Sequence, residues 1–332
     1  MRTLITTGSL FCLLTLLPIA PGQAAEQDLA QQVDELSKQG QQWLLSRQQD
    51  NGAFFGGEPF ALGITELVTL GLLESGLPAD HPQIAKALDY ILAFKQEDGG
   101  IYNPESGLGN YCTSIGLMVL IAANRTDPAV VGPAQQYLLG LQNTEGGIND
   151  GGIGYGSRGQ GNEDLSNTSM AIEALRQSGL AADHPDMQRA LGFVTRCQNL
   201  TSHNQLDWAQ NGANDGSAVY SPDSSKAGGS YHDGHSGQKP SDKSKPAQAT
   251  KLDGYASMTY ALIKSYVYLA LTKDDPRVKA ALDWIAKNYQ FDANPGLPPE
   301  RAQQGLYYYY QTVGKTMDLL DQDHLQVDVE QQ

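Results

Sequence analysis

PAVVGPAQQYLLGLQNTEGG, residues 128–147, carries the pattern on which the fold turns. Pro128 opens it, Tyr137 stands nine residues on, Gln142 follows five later, and Gly146-Gly147 close it. The order recurs along the chain. An aromatic residue and a Gln five or six positions later stand at Trp43…Gln48, Tyr90…Gln96, Phe193…Gln198 and Trp284…Gln290. Pro82, Pro185 and Pro276 lie eight residues before three of these aromatics. Asp127 and Asp275 directly precede two prolines, and Asp80-His81 and Asp183-His184 precede the others. Recurrence of this kind marks an array of supersecondary units that bury their apolar faces on each other.

Each unit reads as two helices. Pro suits the first helical position, where its missing N–H would have had no partner, and a preceding Asp can cap. From Pro276 on, Val278, Ala281, Leu282, Trp284 and Ile285 form one stripe, flanked by Arg277, Lys279 and Lys287. Such a helix faces solvent on one side. The second helix of each unit, over 64–73, 113–123, 168–175 and 256–271, carries few charges and reads as buried all round. Alternating outer and inner helices predict two concentric layers. Five hairpins, with a last inner helix near 307–320, close them into a ring. Glycines at Gly52, Gly99-Gly100, Gly146-Gly147 and Gly296 mark the turns between the layers.

Two insertions break the period. Residues 150–164 are Gly-rich, and residues 199–252 are rich in Ser, Gly, Asp and Lys, a composition that resists a packed core. The second predicts a long loop over one end of the ring.

Arg2, an apolar run over 4–20 and the small residues Gly22-Gln23-Ala24 have the layout of a secretory signal. Residues 1–24 are therefore expected to be removed, leaving one domain over 25–332, exported to a periplasmic or extracellular space with no membrane span in the mature chain. The formal net charge of -15 leaves no basic stripe for a phosphate backbone, so nucleic acid is not an expected partner. Cys112 and Cys197 would remain in the mature chain, and both pairing and free thiols stay open.

The repeats resemble the QW-type repeats of terpenoid cyclases, such as the squalene-hopene cyclases, and of protein prenyltransferase β-subunits. The resemblance covers roughly residues 35–320 and implies an all-α fold, an α/α toroid of about five helical hairpins around a cavity. It implies less about chemistry. Class II cyclases carry an Asp-x-Asp-Asp-Thr run whose middle Asp protonates an alkene. Here the run is Asp164-Leu165-Ser166-Asn167-Thr168, with Ser166 and Asn167 in place of two acids. Neither can supply a strongly acidic proton. The prenyltransferases hold zinc through Asp, Cys and His. No Asp-x-Cys pair exists here, and the candidates for a metal are His232, Asp233 and His235.

The expected site is the end of the ring where the inner helices begin. Asp164 and Asp253 are the candidate catalytic acids, and both also fit plain N-cap duty. Asn167, Tyr231, His232, Tyr255 and Tyr308 are the candidate ligand-binding residues, within a rim that also draws on Tyr102, Tyr111 and Tyr155. No cofactor is expected, with zinc as the alternative. The reading is a binding or interaction module with a degraded acid run, its ligand a small lipid, a glycan or a protein. The alternative is an enzyme acting on an isoprenoid or a carbohydrate in the cavity.

Overall fold

The computed structural model describes residues 21–55, 57, 59–156, 162–231 and 249–321. The expected signal segment over 1–20 lies outside them. The chain divides into two units, residues 1–47 and residues 48–332. In the first, helix α1 (Pro21–Leu45) carries i,i+4 pairs on its surface, among them Lys38 with Asp34 at 2.6 Å.

The second unit is an all-α toroid with a small two-stranded addition. Its inner helices are α2 (Ala61–Glu74), α4 (Gly109–Ala122), α6 (Leu165–Gln177), α9 (Ala256–Tyr268) and α11 (Leu306–Leu319). They pack in that order, each on the next. Its outer helices are α3 (Pro82–Leu92), α5 (Pro128–Gly140), α7 (Pro185–Arg196) and α10 (Pro276–Lys287), packed on α2, α4, α6 and α9 in turn. The 199–252 insertion contributes the single turn α8 (Asp207–Gln210) and an antiparallel pair, β1 (Gly229–Tyr231) with β2 (Ala249–Leu252). Lys315 on α11 reaches Glu74 on α2 at 2.9 Å, so the first and last inner helices are joined.

The repeat residues explain the assembly. Asp127 and Asp275 cap their helices by accepting from the N–H two residues on, at 2.9 Å each. His81 and His184 do the same through Nδ1 at 3.3 Å, so in those units the cap is the His and not the Asp before it. The Gln side chains tie one unit to the next. Nε2 of Gln48, Gln142 and Gln198 donates to the carbonyls of Gln83, Asp186 and Arg277, each one residue after the next repeat's proline, at 2.7–2.9 Å. Gln96 departs from this and donates to Phe94 and Tyr102, while Lys95 reaches the equivalent carbonyl of Ala129.

A second repeated tie escaped the sequence reading. Thr65, Thr113, Thr168 and Thr259 hold equivalent places on four inner helices. Their hydroxyls accept from the backbone N–H groups of Phe54, Ile101, Ile153 and Ala218 at 2.9–3.1 Å. The turn glycines also shift from expectation. In the third repeat the close approach falls on Gly151, not Gly146-Gly147, because a Cβ at Gly151 would lie 2.1 Å from the Arg189 carbonyl oxygen.

Candidate functional site

Two features lie at the ring's axis. The first is the end where α6 begins. Asp164 is the N-cap of α6, accepting from the Asn167 N–H at 2.9 Å and its Nδ2 at 2.8 Å. It is 1 % exposed. Burial raises its pKa to about 6, against the lowering effects of the Asn167 bonds, the Tyr220 hydroxyl and the Lys226 ammonium. Tyr220 in turn lies 3.4 Å from the Tyr155 hydroxyl and under the Lys226 ammonium. Burial, then the Asp164 charge, pushes the Tyr220 hydroxyl well up. Tyr255 is the N-cap residue of α9, fully buried, with no partner for its hydroxyl. Ser166 donates to the Tyr308 hydroxyl at 2.9 Å. Asp164, Asn167, Tyr255 and Tyr308 therefore converge on one end of the ring, together with Tyr220 and Lys226, which the sequence reading did not single out.

The other expected residues stand apart. Asp253 is half-exposed, paired with Lys251 at 3.4 Å, and it does not cap α9. Tyr231 closes β1. His232, Asp233 and His235 lie outside the described residues. Among the described residues no group of three or more His, Cys, Asp or Glu can hold a metal ion. Tyr102 is tied to Asp98 at 2.7 Å and stacks on Tyr137, a structural role in the second repeat. Cys112 and Cys197 are both free and buried.

Beside this end opens an apolar pocket of about 250 Å³, lined by Phe60, Ile64, Leu67, Leu108, Tyr111 and Tyr155. Phe60 and Tyr155 are 54 % and 43 % exposed. Two large aromatics in water at one rim are a departure from the buried norm for such side chains.

The second axial feature fills the space between the inner helices. Leu67, Leu70, Ile115, Met118, Met170 and Tyr308 line a cavity of only about 20 Å³. That is room for about one water. Its far end is ionic. Glu173 on α6 meets Lys264 on α9 at 2.5 Å and Lys315 on α11 at 2.9 Å. Tyr268 also donates to Glu173 at 3.3 Å. Burial opposes ionisation of Glu173, but the two ammonium groups overcome it and hold the carboxyl down to about 2. The inner helices are thus not apolar all round, as their composition suggested. Glu173, Lys264 and Lys315 carry charge inward and pair with one another at the axis.

No protein-family model matches the chain, and no curated protein does. Among solved structures the chain is similar to a variant of the type II terpene cyclase MstE from Scytonema in complex with its product, merosterolic acid A, at 15% sequence identity and a TM-score of 0.48, over 87% of this chain and 83% of that one.

Proposed function

We propose that this chain is an exported toroid protein that binds a small lipid at the inner-helix N-terminal rim and works as a binding module, not as a cyclase. The observation that carries the reading is the contrast between two spaces. The axial cavity, at about 20 Å³ and crossed by the Glu173 ion pairs, has no room for a hydrocarbon substrate. The rim pocket, at about 250 Å³ and walled by apolar and aromatic side chains, does. It falls just under the range of about 300–1,000 Å³ usual for small-molecule sites, so it suits one end of a chain or a short isoprenoid. Ser166 and Asn167, both hydrogen-bonded inside the protein, leave no proton donor where a cyclase would carry one.

The test is calorimetry on the mature protein with farnesol, alongside Ile64→Glu, which puts a charge on the pocket wall. Farnesol should bind the wild type, and the variant should lose binding at an unchanged melting temperature. Squalene and geranylgeranyl diphosphate should be recovered unaltered by mass spectrometry. Cyclised product would sink the binding-module reading. Binding that ignores Ile64→Glu would remove the rim pocket from it. The enzyme reading keeps one observation in its favour, the Asp164 carboxyl poised near 6 among tyrosines.

A further inference from the structure

A groove of about 520 Å³ runs beside the last turns of α7, and its wall includes Leu191, Gly192, Thr195, Arg196, His203 and Arg277. That volume lies within the range of about 300–1,000 Å³ usual for small-molecule sites. Among the described residues no acid lines it, in a chain whose formal net charge is -15. Its two guanidinium groups are fixed from behind. Arg277 forks onto Asp275, Nε to Oδ1 at 2.9 Å and Nη2 to Oδ2 at 2.8 Å, and lies 5.4 Å from the centre of the Tyr266 ring. Arg196 is held by backbone instead. Its Nε donates to the Ile148 carbonyl at 2.8 Å and its Nη2 to the Asp150 carbonyl, while the Asp150 carboxylate pairs with Arg189 at 3.0 Å.

These ties leave the same atom over on each arginine. Nη1 of Arg277 makes only a long contact with the Thr195 hydroxyl, at 3.4 Å. Nη1 of Arg196 has no hydrogen-bond partner among the described residues. A Cβ at Gly192 would lie 3.4 Å from it, so glycine at that position keeps this edge of the guanidinium uncovered. Gly192 and Thr195 stand three residues apart on α7 and share a face, so the two Nη1 groups flank one stretch of the groove wall. Rigid guanidinium forks suit the planar oxygens of a carboxylate. The C-terminus of α7 opposes an anion with about half a negative charge, which the Arg196 charge, matched by no carboxylate, exceeds. Leu191 and Leu206 add apolar surface to the same groove. An inorganic anion would use the guanidinium groups and leave the leucines in water. A hydrocarbon would do the reverse. We infer that this groove binds a small organic acid, its carboxylate taken by Arg196 and Arg277 and its apolar body laid on Leu191 and Leu206.

The site is independent of the lipid pocket at the rim, and its test uses the full mature chain. Hexanoate and benzoate are titrated by calorimetry beside their neutral counterparts, hexanol and benzyl alcohol, and beside sodium sulfate. At least one carboxylate should bind about tenfold or more tightly than its alcohol. Arg196→Met would remove the ties to Ile148 and Asp150 together with the charge, so a second variant decides. Gly192→Glu gives the groove a carboxylate of its own and improves helix propensity. It should abolish carboxylate binding at an unchanged or higher melting temperature. Failure of both carboxylates to bind the wild type overturns the proposal. So does an alcohol that binds as tightly as its acid, sulfate that binds where neither carboxylate does, or carboxylate binding that Gly192→Glu leaves intact.

Discussion

The Glu173 carboxylate and the Lys264 ammonium meet 2.5 Å apart between two neighbouring inner helices, 7 % or less of either side chain exposed. Both line the narrow cavity at the ring's axis. A buried charge left without its partner is costly, whereas the intact pair roughly balances its own desolvation. Glu173→Gln should therefore destabilise the protein by about 3–5 kcal/mol, since Lys264 keeps its charge in a dry setting. The double replacement Glu173→Met with Lys264→Met should recover much of that loss. Urea unfolding reads both. A Glu173→Gln variant as stable as wild type would mean the pair is solvated.

The same carboxyl fixes a pH response. Its folded pKa, about 2, lies below its ordinary value of 4.5. The unfolded state thus takes up protons first as pH falls. The stability Glu173 contributes is complete above about pH 5 and is lost as pH drops through about 4 toward 2. Acid unfolding monitored by circular dichroism should be shallower in the double Met variant than in wild type. Identical acid profiles would rule out Glu173 as a source of the transition.

Asp164 answers in the opposite direction. Its folded pKa, about 6, is raised from 3.8, so its contribution is complete below about pH 4 and is lost as pH rises to about 6. Asp164→Asn keeps an N-cap of equal quality and removes the titration. Relative to wild type, the variant should gain about 2–3 kcal/mol between pH 4 and pH 7. Chemical denaturation at the two pH values checks this. A constant difference would show that Asp164 is not raised in the folded state. Lipid binding at the rim should survive the substitution, whereas loss of a turnover would revive the enzyme reading.

The spacing of Pro, aromatic and Gln told the order of helices nearly to the residue, because caps and turns are local chemistry. Pro82, Pro128, Pro185 and Pro276 each begin the helix expected of them. The ring end holding Asp164, Asn167, Tyr255 and Tyr308 was legible for the same reason: all four sit at or near inner-helix starts. What stayed hidden depends on which face of an inner helix turns to the axis. Aligning the inner helices on their shared Thr exposes it. Five residues beyond Thr65, Thr113, Thr168 and Thr259 stand Leu70, Met118, Glu173 and Lys264, and all four line the axial cavity. Opposite charges in one register on adjacent helices were a readable signal. Tyr220 and Lys226 were not readable, because the insertion that carries them has no repeat to set its register.

The shared Thr itself gives a prediction. Thr113 is fully buried, and its hydroxyl accepts from the Ile101 N–H at 3.0 Å, pinning the segment between outer and inner helices. Thr113→Val keeps the shape and deletes the acceptor. The Ile101 N–H is then buried without a partner, which costs about 1–3 kcal/mol. Thr113→Ser keeps the acceptor and removes only a methyl group, so it should cost about 1 kcal/mol or less.

Glu66 supplies the sharpest case. It is fully buried on α2, no N–H or O–H donates to either carboxyl oxygen, and Gly116 of α4 leaves it space. Burial pushes its pKa well above 4.5, against a hydrogen bond from the Cys112 thiol. The folded state therefore holds a proton that the unfolded state releases above about pH 4, and stability falls as pH rises toward neutrality. Glu66→Met replaces the group by an apolar side chain of similar size and should stabilise the protein at pH 7 by about 1–3 kcal/mol. At pH 4, where both states keep the proton, the gain should shrink. Melting curves at the two pH values decide it: a variant destabilised at both would mean that the Glu66 carboxyl has a partner that matters for folding.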